Sequence, residues 1–515
     1  MSILRSASVV SGATLLSRVL GMARDIACAS LLGAGMAWDA FVIAWRVPNL
    51  FRRLLGEGAL SSAFIPVFSG ERERAGREAA FRFFASVLTL LSLLLAAVTA
   101  VGVLLALLLP ETLFGTGAAG DKARLTMDLL AILFPYVFLI NVMALFMAIL
   151  NTEGHFFAPA IAPAVLNVFW ITGTLVSPFV SEDPAERVKV VAAFILAGGV
   201  VQMFMQVPFL RARGIPLRPR LDLSHPALKR MLLLMFPMIL GLAPVQVNLL
   251  LDTLIAEAFI PGDGANSYLF YGNRLMQFPL ALVGIALGVV AFPLFSRLAK
   301  AGRRDELSGK FREALRLTFF LSLPAAAGLL ALDRPLIELI YEWGKFGPGD
   351  TTATARVLFL YAVGIPAFCG LQIVTRLYYA SEEVKTPVWT GAAMVFVNLG
   401  LNLLLVGPMR EGGLALATSL TAVLNLLILV ALVPRRLGLA SLWGVVGPIA
   451  LSAALAAAMG FAVYALGGFL ASRFPETTLV TKLMRTLPPV VVGAVLYLGV
   501  ALLLRLPETR TLRRR

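Results

Sequence analysis

The sequence predicts an all-α polytopic membrane protein with fourteen transmembrane helices. Three observations indicate this class. Hydrophobic residues make up 59% of the 515 positions, and charged residues make up only 14%. Mean hydropathy is +0.87. Apolar segments of about 20 residues, the length that crosses the hydrocarbon core of a bilayer, recur from one end of the chain to the other. The short alternating segments of a membrane β-barrel do not occur in the sequence.

Fourteen apolar segments are separated by short polar loops. Several of them exceed 25 residues, so these helices are expected to tilt, kink or extend beyond the membrane. The predicted spans cover residues 6–31, 36–68, 83–109, 125–150, 157–180, 188–210, 228–259, 266–296, 314–332, 352–380, 386–407, 412–433, 441–470 and 483–504.

Basic residues are unevenly distributed between the two sets of loops. With the N-terminus in the cytoplasm, the cytoplasmic segments hold 26 of the 44 lysines and arginines, and the opposite segments hold 11. This asymmetry follows the positive-inside rule and predicts that both termini are cytoplasmic. It also accounts for the net charge of +15 without a nucleic-acid partner. The two cysteines and two histidines form no catalytic or metal-binding pattern, so we do not expect an enzyme.

A weak internal repeat relates the ends of the second and eighth spans, GALSSAFIPVFS (58–69) and GIALGVVAFPLFS (284–296). Five identical residues recur 227 positions later in the chain. The repeat predicts two six-helix lobes of parallel orientation, residues 1–220 and 221–436, followed by an added helix pair at 437–515. Chance matching is the alternative in a chain of such low residue diversity.

Seven arginines fall inside predicted spans: Arg18, Arg24, Arg46, Arg52, Arg53, Arg274 and Arg376. An arginine at the bilayer centre costs about 2.5–3.5 kcal/mol, so these side chains are expected to face a bundle interior or a hydrated cavity. The first, second and eighth spans hold six of them but only three carboxylates, Asp25, Asp39 and Glu57. This surplus predicts an anionic ligand, because guanidinium groups bind phosphate and carboxylate in a bidentate manner.

Internal charge pairing is the alternative interpretation of these residues. Side chains seven positions apart share one helix face, and residues on neighbouring helices could also meet. Three ion pairs would then hold the helices together without any ligand: Arg18 with Asp25, Arg24 with Asp39, and Arg53 with Glu57.

A second polar group lies in the seventh, eleventh and twelfth spans. Asp252 interrupts VNLLLDTLIAE, Asn398 and Asn402 share one helix face, and Thr418 lies in GGLALATSL. Carboxylate, amide and hydroxyl oxygens together suit Na⁺ or a proton relay. Hydrogen bonding between helices is the alternative role for the same residues.

Four segments resemble the MurJ/MviN lipid II flippases of the multidrug/oligosaccharidyl-lipid/polysaccharide exporter superfamily: SRVLGMARD (17–25), GAGMAWDAFVIAWRVPNLFRRLLGEGALSSAFIPVF (33–68), YGNRLMQFPLALVGIALG (271–288) and the KTP of SEEVKTP (381–387). The likeness extends over essentially the whole chain. The N-terminal block is the most specific part, and the KTP element is shared more widely in the superfamily.

The resemblance implies a function in bacterial cell-wall synthesis. Such proteins move lipid II, an undecaprenyl-pyrophosphate-linked GlcNAc–MurNAc-pentapeptide, from the inner to the outer leaflet of the cytoplasmic membrane. It also implies two six-helix lobes around a central cationic cavity, and a groove for the lipid tail formed by the last two spans. Lipid II and membrane lipids are the expected partners, together with the cell-wall synthesis machinery. No cofactor is expected apart from Na⁺.

The resemblance maps substrate-binding residues onto eight positions: Arg18, Arg24, Asp25, Asp39, Asn49, Arg52, Arg53 and Arg274. Gln277 departs from the family pattern, because some members carry an acidic residue there that would pair with Arg274. Asp252, Asn398, Asn402 and Thr418 resemble the sodium site of certain members, with asparagine where a carboxylate can occur. An exporter of another lipid-linked oligosaccharide or of a small drug is the alternative function. A membrane enzyme such as an intramembrane transferase is the more distant one.

Overall fold

The computed structural model describes residues 3–109, 117–439, 443–475 and 477–509, and this part of the chain contains α-helices and no strand. The first half has nine α-helices: α1 (Ile3–Leu32), α2 (Met36–Phe51), α3 (Ser61–Leu108), α4 (Ala118–Leu133), α5 (Pro135–Thr152), α6 (Phe157–Val180), α7 (Pro184–Phe204), α8 (Val207–Ala212) and α9 (Pro226–Phe259). The all-α fold class is therefore confirmed.

The second half has nine more α-helices: α10 (Ala265–Pro279), α11 (Ala286–Lys300), α12 (Arg304–Ala331), α13 (Asp333–Ile340), α14 (Pro348–Ala380), α15 (Lys385–Met409), α16 (Glu411–Leu437), α17 (Val446–Arg473) and α18 (Leu479–Leu503). Many large apolar side chains on these helices are exposed, as a protein surrounded by lipid requires.

Twelve helical stretches in the described residues are long and apolar enough to cross a membrane. One of them, Met36–Leu108, has 73 residues and contains the second and third predicted spans. A helix of that length would measure about 110 Å, far more than one crossing needs. Gly76 breaks it with φ +83° and ψ 174°. The count of fourteen spans stays a prediction, because α1 is not among the twelve stretches.

Helix ends follow local sequence signals. The Asp183 carboxylate accepts a hydrogen bond of 3.0 Å from the Ala185 N–H and begins α7. Gly438 takes a left-handed conformation with φ +63° and ends α16.

The chain divides into two compact units, Met1–Leu250 with Gly344–Phe346 and Leu251–Trp343 with Gly347–Arg515. In the first unit, α1 packs on α6, α6 on α7, α2 on α4 and α3 on α5. Its core includes a phenylalanine cluster in α3, in which the Phe64 ring lies 5.3 Å from Phe68 and 5.7 Å from Phe83 between centroids. The predicted lobe boundaries at 220 and 436 stay predictions.

In the second unit, α14 is the central helix and packs against α10, α12 and α16. The last two helices join this unit through α12, because α12 packs on α17 and α17 packs on α18. The Tyr497 hydroxyl on α18 donates a hydrogen bond of 2.8 Å to the Phe320 carbonyl on α12. The added helix pair is thus tied to the second unit by both apolar packing and a buried hydrogen bond.

Two π-helical segments interrupt the spans that the sequence repeat relates. Arg52–Leu60 lies between α2 and α3, and Leu280–Ile285 lies between α10 and α11. Each contains a glycine in close contact with a neighbouring helix. A Cβ at Gly56 would lie 2.9 Å from Asn141 Oδ1, and a Cβ at Gly284 would lie 2.9 Å from Cys369 Cα. The two glycines are 228 positions apart, as are their two neighbours, which is one position more than the 227 of the sequence repeat. The internal repeat stays a prediction.

Candidate anion-binding site

Arg24 is a buried guanidinium held by side chains of α1 and α6. Its Nε and Nη2 donate to Asp25 Oδ1 at 2.9 and 2.6 Å, and its Nη1 donates to Asn167 Oδ1 at 3.0 Å. Asn167 in turn donates through Nδ2 to the Ser17 carbonyl at 3.0 Å. Since Asn167 bonds both to Arg24 and to the preceding part of α1, it sets the direction of the guanidinium group.

Trp170 completes the surroundings of Arg24. The Arg24 Cζ lies 4.3 Å from the Trp170 ring centroid, within the range of a cation–π interaction. The Trp170 ring is itself held edge-on by Phe41 and Trp45, with centroid distances of 5.5 and 5.0 Å. The guanidinium of Arg24 is therefore oriented by a carboxylate, an amide and an aromatic face before any ligand arrives.

Asp39 lies in a buried ion pair between α2 and α4. The Lys122 Nζ donates to Asp39 Oδ2 at 2.9 Å, and the two side chains are 5% and 0% exposed. The sequence placed Lys122 in a loop opposite the cytoplasm, and it is instead a buried partner of α2. Asp39 is brought close to Lys122 by the packing of α2 on α4.

The observed ion pairs differ from those considered in the sequence. Asp25 pairs with Arg24, its neighbour in the chain, and Asp39 pairs with Lys122. The Glu57 side chain lies outside the described residues, so its pairing with Arg53 stays a prediction.

Asn49 and Arg52 meet where the first π-helical segment begins. Asn49 Oδ1 accepts hydrogen bonds from Arg52 Nε at 3.1 Å and Nη2 at 2.8 Å. One turn earlier, Arg46 Nη1 donates to the Leu249 carbonyl on α9 at 3.0 Å. Both of these neutral oxygen acceptors help to orient a guanidinium group. Arg52 and Arg53 are both half-buried.

Arg18 is exposed on α1. In the second unit, Arg274 is half-buried on α10, and its Cζ lies 5.6 Å from the Phe270 ring centroid. Gln277 donates to Asn273 Oδ1, one turn earlier on the same helix. Gln277, which stands where some family members have an acidic residue, thus forms its hydrogen bond within α10.

The polar residues of the seventh, eleventh and twelfth spans come together in the second unit. Asn402 Nδ2 donates to Asp252 Oδ1 at 2.7 Å and to Asn398 Oδ1 at 3.1 Å. The Thr418 hydroxyl lies 3.4 Å from Asp252 Oδ2. The interhelical hydrogen bonding considered in the sequence is therefore present.

This cluster also has features of a cation site. A carboxylate, two amide oxygens and a hydroxyl form a hard-oxygen set of the kind that hard cations bind. Asn402 is 0% exposed, and its Oδ1 has no hydrogen-bond partner in the described residues. Buried acceptors are normally satisfied, so this oxygen fits an additional positive ligand. Within the same described ranges, no group of three or more His, Cys, Asp or Glu residues could hold a metal ion.

Three residues that contact the charged side chains were missed in the sequence: Lys122, Asn167 and Trp170. Asn167 is an isolated amide in the apolar run FAPAIAPAVLNVFW, which was an available signal of a buried polar contact. Lys122 gave no such signal, because it precedes the fourth predicted span and looks like an ordinary loop residue.

The fold is similar to the folds of two solved membrane proteins. One is an inward-facing multidrug resistance MATE family transporter of the MOP superfamily, with a TM-score of 0.69, 13% identity and coverage of 84% of this chain and 98% of that chain. The other is lipid II flippase MurJ in an inward closed conformation, with a TM-score of 0.78, 24% identity and coverage of 96% and 98%.

The sequence comparisons define the family. The family model described as lipid II flippase MurJ matches residues 28–484. A probable lipid II flippase MurJ of Rhizobium tropici is 35% identical over 462 residues, which cover 89% of this chain and 86% of the relative. The lipid II flippase MurJ of Burkholderia cenocepacia is 34% identical over 434 residues, which cover 83% of each. The chain belongs to the MurJ family of lipid II flippases, and the resemblance of its motifs is confirmed.

Proposed function

We propose that the protein moves lipid II from the cytoplasmic to the outer leaflet of the bacterial inner membrane, and that its intramembrane arginines bind the pyrophosphate. The observation that carries the substrate assignment is the family match across residues 28–484. The proposal makes the protein a transporter and assigns no catalytic residue. The proposed orientation of the protein, with both termini in the cytoplasm, rests on the distribution of basic residues.

Desolvation is the physical problem that such a transporter has to solve. The pyrophosphate must leave water, and an ionised group in an apolar medium is strongly unfavourable unless it is paired. Guanidinium groups replace the lost hydration with charge-assisted, bidentate hydrogen bonds. Arg24 supports this role because Asp25, Asn167 and Trp170 already orient it, so little side-chain entropy remains to be lost on binding.

Asp25 has a distinct part in this proposal. Its carboxylate neutralises Arg24 while no ligand is bound, which lowers the cost of burying the cation. An incoming phosphate competes for the same guanidinium, and the two Nη groups have further N–H donors that can serve it. Asp25 is therefore a positioning residue, and Arg24 is the binding residue.

Alternating access would carry the bound headgroup across the membrane as two halves rock around a central site. A membrane potential that is negative inside favours outward movement of an anion by about 2.3 kcal/mol per charge per 100 mV. The oxygen cluster of Asp252, Asn398, Asn402 and Thr418 would hold Na⁺, which supplies a positive charge to the buried oxygens.

Two measurements test the proposed function. The full chain is expressed in a bacterium depleted of its own lipid II flippase, and growth is recorded. Purified protein is then examined by native mass spectrometry for a retained polyprenyl-pyrophosphate glycan. We expect restored growth and a retained diphosphate lipid. A well-expressed and inserted chain that neither restores growth nor retains the lipid would overturn the proposal.

A further inference from the structure

Arg376 is an intramembrane arginine that the interpretation above does not use. It lies on α14, inside the membrane-crossing stretch Pro348–Ala380, and its side chain is half-buried. Among the side chains and carbonyl groups that the structure describes, none accepts a hydrogen bond from it, and no described carboxylate or aromatic ring pairs with it. Among the seven intramembrane arginines, only Arg18 shares this property in the described residues.

Gly288 leaves the space that the Arg376 guanidinium group occupies. A Cβ placed on Gly288 of α11 would lie 2.8 Å from Arg376 Nε and 3.1 Å from Arg376 Cζ. The guanidinium therefore lies directly against the α11 backbone, in a space that any larger residue would fill. Packing rather than hydrogen bonding holds it in place.

Such an arrangement is costly without a ligand. A guanidinium group has five N–H donors, and an arginine within a membrane normally pairs with a carboxylate, with carbonyl groups or with a ligand. Because the described residues supply no acceptor, an external anion is the group that would complete the site. Phosphate oxygens fit the planar fork of donors, and both lipid pyrophosphates and ordinary phospholipids carry them.

The position of Arg376 along its helix indicates where the anion would bind. With the N-terminus in the cytoplasm, α14 runs from the outer side to the cytoplasmic side. Arg376 precedes the last residue of α14, Ala380, by four positions, which correspond to about 6 Å of helical rise. It therefore lies towards the cytoplasmic end of the span, the side from which the lipid substrate enters.

We propose that Arg376, packed against Gly288, is a second phosphate-binding residue. It contacts the diphosphate of lipid II as the lipid enters from the cytoplasmic leaflet. This inference rests on the proposed function and adds a binding residue on the second unit. The site takes a diphosphate oxygen through the guanidinium fork, so a lysine can replace it only in part.

The test is a titration of the purified full-length chain with lipid II, followed by native mass spectrometry. Wild type is compared with Arg376→Gln, Arg376→Lys and the control Arg435→Gln, which removes an exposed arginine at the end of α16. We expect Arg376→Gln to bind lipid II about tenfold to a hundredfold more weakly, as loss of hydrogen bonds to a charged group predicts. Arg376→Lys should be intermediate, and the control should match wild type.

A second variant moves the guanidinium without removing its charge. Gly288→Ala places a methyl group in the space that the Arg376 guanidinium occupies. Gly391→Ala on α15 is the matched control, because a Cβ there meets nothing within 4 Å. We expect weaker lipid II binding only for Gly288→Ala. The thermal unfolding midpoint of each variant shows whether that variant folds. If Arg376→Gln or Gly288→Ala does not fold, the test rests on lipid II binding by Arg376→Lys.

Each titration is repeated with phosphatidylglycerol as the competing phosphate source. If wild type retains no lipid II, the proposed function itself fails. If wild type and Arg376→Gln bind lipid II equally, only the present inference fails. Loss of phosphatidylglycerol adducts with unchanged lipid II binding would assign Arg376 to ordinary phospholipid headgroups, and this result would also overturn the inference.

Discussion

The buried pair of Asp39 and Lys122 gives a direct test of whether Asp39 stabilises the fold or binds substrate. Lys122→Met removes the ammonium group and leaves a carboxylate that is 0% exposed without its charge partner at 2.9 Å. Removing one member of a buried ion pair costs about 3–5 kcal/mol. We therefore expect Lys122→Met to lower the free energy of unfolding by that amount, and Asp39→Asn to do so comparably.

The double variant Lys122→Met/Asp39→Asn provides the decisive comparison. It removes both charges of this pair together, so its loss should fall to the cost of an unsatisfied buried polar group, about 1–3 kcal/mol. The effects of the two single substitutions are thus expected to be strongly non-additive, as for residues in direct contact. The assay is chemical unfolding in detergent micelles, with the exposed Lys310→Met as control.

Growth of a flippase-depleted bacterium separates the two roles. If Asp39 serves only to pair with Lys122, the double variant should restore growth whenever it is expressed and inserted. A stable double variant that fails to support growth would show that Asp39 acts on the substrate. Additive losses in the unfolding measurement would refute the reasoning about the buried pair.

Three further predictions concern other parts of the chain. Asn167→Leu removes the amide that directs Arg24, and we expect lipid II binding to weaken by about tenfold or more in native mass spectrometry; unchanged binding would exclude a positioning role. Burial first, and Arg213 second, lower the pKa of His155 below 6.5. The unfolded state thus binds the proton more readily, so the stability contributed by neutral His155 is lost as pH falls below about 6.5. His155→Gln should flatten the dependence of the free energy of unfolding on pH in this range, and an unaltered dependence would contradict the prediction. Na⁺, but not K⁺, should raise the thermal unfolding midpoint of wild type, and Na⁺ should leave the midpoint of Asp252→Asn unchanged. Equal responses of the two proteins to Na⁺ would exclude the sodium site.

The family and the general fold could be predicted before any coordinates. Hydropathy is a local property of the chain, so segments of about 20 apolar residues report membrane helices directly. The motifs around Arg24, Arg52 and Arg274 likewise belong to continuous stretches of sequence. The repeat between the second and eighth spans was visible as five residues, and the structure has a π-helical segment in each of these two spans.

Partner choice among the charged residues could not be predicted in the same way. Sequence spacing suggested Asp25 for Arg18, because residues seven apart share a helix face. Asp39 was considered for Arg24 because the first two spans are neighbours in the chain. The observed partners of Asp39 and Arg24 include Lys122 and Asn167, which are 83 and 143 positions away in the chain. Contacts over such separations depend on how α2 packs on α4 and α1 on α6.

The amino-acid sequence alone determined that this is a helical membrane protein with more intramembrane arginines than carboxylates in three of its spans, since composition and hydropathy require no knowledge of packing. Tertiary structure decided which of the intramembrane arginines are already neutralised, as Arg24 is by Asp25, and which lie without a partner among the described residues, as Arg376 of the tenth span does against Gly288. The physical reason is that electrostatic pairing acts over a few ångströms between side chains, and only the packing of helices brings distant residues within that range.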